Sequence, residues 1–382
     1  MIQLSIVMPC LNEEKTIGIC IEKANEFFKK NKIIGEIIVG DNGSNDNSIK
    51  IAESLGASII HISKKGYGAA LKGAIHAARG KYIIMGDSDD SYNFLEVSGI
   101  FFKLIEGYDF VIGNRFQGGI QPGAMPWKNR YIGNPILTWI GRMLFDIPCR
   151  DFHCGLRGFR KEAYSQLSLL SDGMEFASEM LIKAKLSKLK ITEVPIVLYP
   201  DGRGKSSHLR PWKDGWKHLV LMFLHAPAWS FSYPGFIFCL LGMLFSCLLL
   251  RGPLFLGNIS LDLGSLLASF SFLCMGMQAL TFTLITKSYA SENGIFYQRS
   301  FVDEAIKKIY TFERFLLTAV ILIIGGFLIG LFSLLQWIEK DFGPMNASIL
   351  LRYLLLACFM VILGAQLAFS ALFVEMQKIA TK

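Results

Sequence analysis

The spacing of apolar positions divides this chain into two regimes. Over residues 1–110, short apolar runs alternate with segments in which apolar side chains recur every three or four positions. Leu4-Ser5-Ile6-Val7-Met8-Pro9 reads as a first strand, closed by Pro9, which has no N–H for a central ladder. Polar Asn12, Glu13, Glu14 and Thr16 then introduce a helix expected over Ile17 to Phe28. Glu36-Ile37-Ile38-Val39 is a second strand, followed by the turn-rich loop Gly40 to Asp46. Ser48 to Leu55 reads as a helix, Ala57 to Ile62 as a strand, and Ala69 to Ala78 as another helix. The next strand, Tyr82-Ile83-Ile84-Met85, is apolar throughout and stops at Gly86. Strands alternating with helices of this length imply parallel βαβ units.

Beyond residue 211 the pattern changes. Trp212, Lys213, Trp216, Lys217 and His218 precede a long apolar run, a combination typical of a membrane boundary. Four apolar segments follow, over residues 230–250, 264–286, 315–337 and 349–373. Each is near the ~20 residues that a bilayer demands. Earlier in the chain, residues 131–146 carry Trp139 and Arg142 among apolar positions and fit either an interfacial amphipathic helix or a core helix. The expected organisation is therefore a domain over 1–210, a membrane-interface segment over 211–229 and four spans over 230–382. A mean hydropathy of +0.40 agrees with a membrane protein.

Charge adds orientation. The loop between the second and third segments holds Lys287, Arg299, Lys307, Lys308 and Arg314, and the tail holds Lys378 and Lys382. The other loops carry few basic residues, with Arg251 in one and Lys340 in the next, near Arg352. Positive charge inside puts both termini and the first domain in the cytoplasm of a bacterial or archaeal cell. Met1 to Cys10 reads as a strand, so no signal peptide is expected there. The net charge of +8 is concentrated near apolar segments. That favours an anionic membrane surface and a phosphorylated substrate over nucleic acid. Cys149 and Cys154 are the only close pair among eight cysteines, and their spacing matches neither a zinc pair nor a redox motif, so all are read as thiols.

The candidate chemistry sits just past the fourth strand, at Asp87, Ser88, Asp89 and Asp90. In an extended chain Asp87 and Asp89 would share a side and could hold one hard cation, Mg²⁺ or Mn²⁺. An isolated D-x-D is more often a solvated turn; its companions change that balance. Gly66-Tyr67-Gly68 lacks the third glycine of a dinucleotide fingerprint, and Gly204-Lys205-Ser206 lacks the first glycine of a P-loop.

The companions are Pro9 with Asn12-Glu13-Glu14, Asp41-Asn42-Gly43-Ser44, Val111 to Arg115, Arg150 to Arg157, and Arg203-Gly204-Lys205-Ser206. In this order, with Asp87-Ser88-Asp89, the chain resembles the inverting nucleotide-sugar glycosyltransferases of family 2. With C-terminal membrane helices it resembles the polyprenyl-phosphate branch, which includes dolichyl-phosphate mannose synthases and undecaprenyl-phosphate glucosyltransferases. The resemblance covers residues 3–225 motif by motif. It implies a GT-A fold, an α/β Rossmann-like and mostly parallel sheet, beside an α-helical membrane domain of four spans.

The resemblance also implies roles. Pro9, Leu11 and Glu13 would line the base and ribose pocket, Asp41 would hold the nucleoside, and Ser88 would complete the donor site. Lys65, in Lys64-Lys65-Gly66, reads from the residues alone either as a basic loop at the nucleotide or as a merely solvated loop. Asp87 and Asp89 would bind the metal on the diphosphate of a UDP- or GDP-sugar. Arg115, Arg130, Asn134, Arg203 and Lys205 would meet the polyprenyl phosphate, with Asp89, Asp151 and Arg115 as catalytic residues. Asp151 either orients sugar or acceptor, or pairs with Arg157; Glu179 and His153 are read mainly as structural. Two departures stand out. Asn42 replaces a common second aspartate, and Ser91 replaces a third metal-ligand side chain, with Asp90 as a candidate substitute. A processive polysaccharide synthase is a weaker reading because no Q-x-x-R-W is present. A nucleotide-sensing transporter or flippase and a structural anchor are further rivals; a homo-oligomer is left open.

Overall fold

The computed structural model describes residues 2–204, 210–292, 308, 310–343 and 347–380. The chain divides into two compact units, Met1–His225 and Ala226–Lys382. The first unit therefore runs past the expected boundary at residue 210 and includes the helix Pro211–His225.

The first unit is built on β1 (Leu4–Cys10), β2 (Gly35–Asp41), β3 (Ser58–His61), β4 (Tyr82–Met85), β5 (Phe110–Asn114), β6 (Arg157–Arg160) and β7 (Ile191–Pro195). The order across the sheet is β3-β2-β1-β4-β6-β5-β7. The first four strands are parallel, as the alternating pattern implies, and β5 runs parallel to β7. The exception is β6, which lies antiparallel between β4 and β5. Its four residues, Arg-Gly-Phe-Arg, carry no strand-like apolar run, so only tertiary pairing reveals it.

Helices α1 (Ile17–Asn31), α2 (Ser48–Ser54) and α3 (Tyr67–Ala77) connect the first strands. On α1, Ile17, Cys20, Ile21, Ala24, Phe27 and Phe28 are buried, the 3–4 spacing of one helical face. Lys32 ends α1 in the left-handed conformation, its N–H returning to the Lys29 and Phe28 carbonyls. The α3 helix lies close over β2, where a Cβ on Gly40 would meet the Ala70 carbonyl oxygen at 2.4 Å. The remaining helices are α4 (Ser98–Ile105), α5 (Arg115–Gly118), α6 (Asn134–Phe145), α7 (Lys161–Ser165), α8 (Phe176–Leu186) and α9 (Pro211–His225).

Pro9 does not end β1, which continues to Cys10. The Val7 carbonyl accepts from Gly86 N–H on the β4 side, so Pro9, two residues on, also faces β4. The β1–β4 pairing stops at Val7, and the missing Pro9 N–H costs no ladder bond there. Its carbonyl instead accepts the Ser88 hydroxyl at 2.6 Å.

Among the described residues of the second unit, four helices are long and apolar enough to cross a membrane, over Ala228–Leu249, Leu263–Ala290, Phe312–Ile338 and Ser348–Gln377. Glycines bring the first helix against the second and the third against the fourth. A Cβ on Gly276 would meet the Cys239 backbone at 2.6 Å, and one on Gly364 the Ala319 carbonyl oxygen at 2.8 Å. Gln278 hydrogen-bonds Gln366 between the second and fourth helices, and Ser232 pairs with Thr283 at 3.1 Å. Arg352 is buried near the start of the fourth helix and neutralised by Asp262, with Leu249 O as a further acceptor.

Candidate active site

Three loops meet where β1, β2 and β4 end. The neighbours of β1 lead away in opposite directions, towards β3 on one side and β6 on the other, and ligand crevices form outside strand ends at such points. The first loop follows β1. Asn12 adopts a positive φ of 61°; its N–H donates to Ser44 Oγ at 3.0 Å, and its Oδ1 accepts from Asn45 N at 2.8 Å. Glu13 N donates to Ser48 Oγ at 2.7 Å, which seats the buried Glu13 carboxylate beneath the crevice.

The second loop follows β2. Asp41 Oδ1 accepts Ser44 N–H at 2.9 Å and Oδ2 meets His61 Nδ1 at 3.1 Å. Burial disfavours its ionised form, but the Ser44 bonds and His61 outweigh it and hold the carboxyl below its usual range. The departure at Asn42 has a structural reason. Its amide donates to the Ile62 and Lys64 carbonyls, while its Oδ1 accepts Gly66 N–H at 2.7 Å. An aspartate could not supply the donors. Lys65 Nζ is held on the Asn42 carbonyl at 2.6 Å, beside the Asp41 loop.

The third loop follows β4. The segment after Met85 is a turn, not a continued strand, and Asp90 occupies the left-handed region with φ 61°. Ser88 is buried on the Pro9 carbonyl, while Asp87 and Asp89 both retain some exposure. Burial pushes the Asp87 carboxyl up to about 7, with the Asp89 charge adding to it. Tyr67 Oη donates to Asp87 Oδ1 at 3.0 Å and partly offsets this. Asp89 Oδ1 accepts from Ser91 N at 3.0 Å and from the Ser91 hydroxyl. Asp90 is engaged elsewhere: Lys23 Nζ holds its carboxylate at 2.6 Å. It does not stand in for the ligand side chain that Ser91 lacks.

Arg203 joins two of these loops. Its guanidinium contacts Glu13 Oε1 at 3.2 Å, Asp89 Oδ2 at 3.2 Å and Asp201 Oδ2 at 2.6 Å. Burial pushes the Glu13 carboxyl up to about 7; Arg203 lowers it and Asp89 raises it. The segment carrying Arg203 is tied to the acidic turn by Tyr199 N to Ser91 O and Gly202 N to Asp89 O, both 2.9 Å.

Arg115 and Asp151 form a buried bidentate pair. Nε and Nη2 of Arg115 reach the two Asp151 oxygens at 2.7 Å each, and Arg115 N donates to Oδ2 at 3.0 Å. Arg157, the other expected partner, donates instead to the carbonyls of Cys154, Phe152 and Ala177. Glu179 accepts the Leu170 and Ser171 N–H groups and pairs with Lys183 at 2.7 Å, a structural helix carboxylate. Both ring nitrogens of His153 are buried, and its ring meets His218 edge-on at 4.8 Å between ring centroids.

The structure thus brings together Pro9, Glu13, Asp87, Ser88, Asp89 and Arg203 directly, with Asp41 and Lys65 on the adjacent loop. Leu11 is partly exposed within the first loop. Arg130 lies over the Tyr131 ring at 5.4 Å, and Asn134 Nδ2 contacts Met125 Sδ at 3.4 Å. Neither makes a hydrogen bond or ion pair to the acidic turn among the described residues. Lys205 lies outside the described residues. Sequence reasoning missed Tyr67 and Asp201. Tyr67 was hidden in Gly66-Tyr67-Gly68, whose glycines serve packing: a Cβ at Gly66 would meet the Asp172 carbonyl oxygen at 2.2 Å.

The donors suit a divalent ion. Both carboxylates are hard oxygen ligands, and a small dication would remove the repulsion between them that Tyr67 and Arg203 only partly offset. Among the described residues no group of three metal-ligating side chains forms. Such an ion would therefore complete its shell from water and the substrate's phosphates.

A mostly parallel α/β sheet with an acidic turn at the end of β4, on a chain with four membrane-length helices, defines a membrane-associated enzyme of the GT-A class. The glycosyl transferase family 2 model matches residues 5–168, and the family 2 C-terminal transmembrane region matches residues 284–378. The chain belongs to glycosyltransferase family 2. It is 39% identical over 242 residues to a low-salt glycan biosynthesis hexosyltransferase of Haloferax volcanii, covering 63% of this chain and 58% of that relative. It is 30% identical to a dolichyl-phosphate hexose transferase of the same organism, covering 56% of this chain and 89% of the relative. A solved glucosyl-3-phosphoglycerate synthase from Mycobacterium tuberculosis, in complex with Mn²⁺, UDP-glucose and phosphoglyceric acid, is a distant likeness. It is 21% identical, with a TM-score of 0.48, covering 58% of this chain and 78% of that one.

Proposed function

We propose that this protein transfers a hexose from a UDP- or GDP-sugar to a polyprenyl phosphate at the cytoplasmic membrane face, with inversion. The observation that carries the reading is the convergence of Asp87, Asp89, Glu13 and Arg203 at one strand-end crevice, in a chain with four membrane-length helices. The dolichyl-phosphate hexose transferase relative supports a lipid phosphate as acceptor.

In this reading Asp41 and Lys65 bind the nucleoside end of the donor, with Pro9, Leu11 and Glu13 lining its pocket and Ser88 completing it. Asp87 and Asp89 hold Mg²⁺ or Mn²⁺, which supplies positive charge to the diphosphate when bound. The acceptor is already ionised, so no strong base is required. A phosphate oxygen forms the new bond to the anomeric carbon as the bond to the diphosphate breaks, and nucleoside diphosphate leaves. Arg203, Arg130 and Lys205 compensate the charge of the approaching phosphate, and the neutral Asn134 amide donates a hydrogen bond to it. Arg115, clamped by Asp151, contributes a fixed positive charge close to Asp87.

The surface of the first unit supports work at a bilayer. The α6 and α9 helices pack together. Trp139 and Ile136 on α6, and Trp212, Trp216 and Leu224 on α9, are exposed. Arg142, Lys213 and Lys217 are exposed on the same two helices. Aromatic and basic side chains together suit the interface of an anionic membrane.

The test is transfer of labelled sugar into organic-extractable lipid. Purified full-length protein is incubated with a panel of UDP- and GDP-sugars, undecaprenyl or dolichyl phosphate, and Mg²⁺ or Mn²⁺. One donor should give lipid-linked sugar, lost with EDTA or Asp89→Ala. Metal-dependent nucleotide binding with no transfer from any donor would overturn the reading.

A further inference from the structure

Arg203 carries five N–H donors in a rigid fork, and four of them have carboxylate partners. Asp201 takes the Nε edge: its Oδ2 accepts Nε at 2.9 Å and Nη2 at 2.6 Å, while its Oδ1 accepts Arg203 N at 2.7 Å. Nη1 then reaches Glu13 and a second contact from Nη2 reaches Asp89. One side of the guanidinium is thus gripped by a residue two positions away. The other side rests on a donor-pocket carboxylate and on one of the two metal-motif carboxylates.

These two sides are not equivalent. Asp201 and Arg203 are bound locally, through a backbone N–H as well as the fork. The contacts to Glu13 and Asp89 are longer, single and made across the crevice. Asp89 Oδ2 is the oxygen held by Arg203, whereas Oδ1 is occupied by Ser91. A dication and this guanidinium therefore compete for the same oxygen.

We propose that Arg203 is the resident cation of the metal-free site. It neutralises Asp89 and Glu13 until a divalent ion arrives, and Asp201 is the positioning residue that keeps it in place afterwards. This rests on the metal-dependent reading above. Once Asp89 is engaged by the ion, the Nη groups of Arg203 are released towards phosphate while its Nε edge stays on Asp201. The same side chain thereby serves the empty site and the loaded one, and metal entry is coupled to presentation of a phosphate-binding group.

The experiment is a Mn²⁺ titration of the full-length protein in detergent without nucleotide, read by electron paramagnetic resonance of free Mn²⁺. Arg203→Ala should bind Mn²⁺ about tenfold more tightly than wild type, because the competing cation is gone. Arg203→Lys, which cannot fork, should fall between them and serves if Arg203→Ala does not fold. Asp201→Asn should weaken Mn²⁺ binding in the wild-type background, where the ungripped guanidinium leans further onto Asp89. It should have little effect in the Arg203→Ala background, a non-additivity that a purely local charge effect would not produce. Unchanged or weaker Mn²⁺ binding by Arg203→Ala and Arg203→Lys, or an Asp201→Asn effect that persists without Arg203, would overturn the proposal. Failure of the wild type to bind Mn²⁺ at all, with or without nucleotide, would instead overturn the metal-dependent reading beneath it.

Discussion

Tyr67 donates its hydroxyl to Asp87 at 3.0 Å, from the first residue of α3 to the turn after β4. Burial and the Asp87 charge hold that hydroxyl firmly protonated, so it is a dedicated donor. Tyr67→Phe removes the bond that opposes protonation of Asp87. The substitution should weaken Mn²⁺ binding at neutral pH by about tenfold, the worth of a hydrogen bond to a charged group. The measurement is the Mn²⁺ dependence of nucleotide binding, with thermal unfolding as control; unchanged metal dependence would remove Tyr67 from the site.

Glu13 and Asp87 both have carboxyls pushed up to about 7 in the metal-free protein. Of the two, Asp87 is the proposed metal ligand, and the dication needs its ionised form, so metal affinity should rise with pH through 7 and binding should release protons. Below 7 the loss should approach about tenfold per pH unit for each proton displaced. Titrations at pH 6 and pH 8 in two buffers of different ionisation enthalpy check both statements.

A linked effect appears in stability. A carboxyl whose pKa is raised in the folded state binds more protons than the unfolded chain between its ordinary value and about 7. Metal-free stability should therefore fall as pH rises across that window. Glu13→Gln should unfold at a higher temperature than wild type at pH 8 and show a smaller drop between pH 5 and pH 8. A lower melting temperature at pH 8 would count against strained burial of Glu13.

Asp151 has no exposed surface, and its oxygens carry the Arg115 fork and backbone N–H. Removing it leaves a guanidinium enclosed without its counter-ion. Asp151→Ala should cost about 3–5 kcal/mol of stability in the first unit. Loss of activity should thus accompany a fall in melting temperature. A variant that loses transfer but keeps full stability would assign Asp151 a direct role in the reaction instead.

His218 shares a 2.7 Å hydrogen bond with Ser178 and abuts His153. Burial pushes its imidazole down to about 4, and His153 is lowered for the same reason. The unfolded chain therefore gains protons first as pH falls below ~6.5, and stability is lost between there and about 4. His218→Asn should flatten the decline in melting temperature between pH 7 and pH 5, even if it lowers the value at pH 7. An unchanged slope would exclude this pair as its source.

The periodicity of the chain by itself determined the first four strands, their parallel connections and four membrane-length segments. Those features are repeated apolar spacings that local sequence must carry if faces are to be buried. It also determined the acidic turn, because strand ends, glycines and clustered carboxylates are local. Only the tertiary structure decided the placement of β6, whose charged tetrapeptide is a strand solely because β4 and β5 offer it partners. It alone decided that Asp151 meets Arg115 and not the nearer Arg157, that Asp90 goes to Lys23, and that Arg203 reaches Glu13 190 residues away. Each is a pairing between distant segments, settled by which charges burial leaves no alternative but to join.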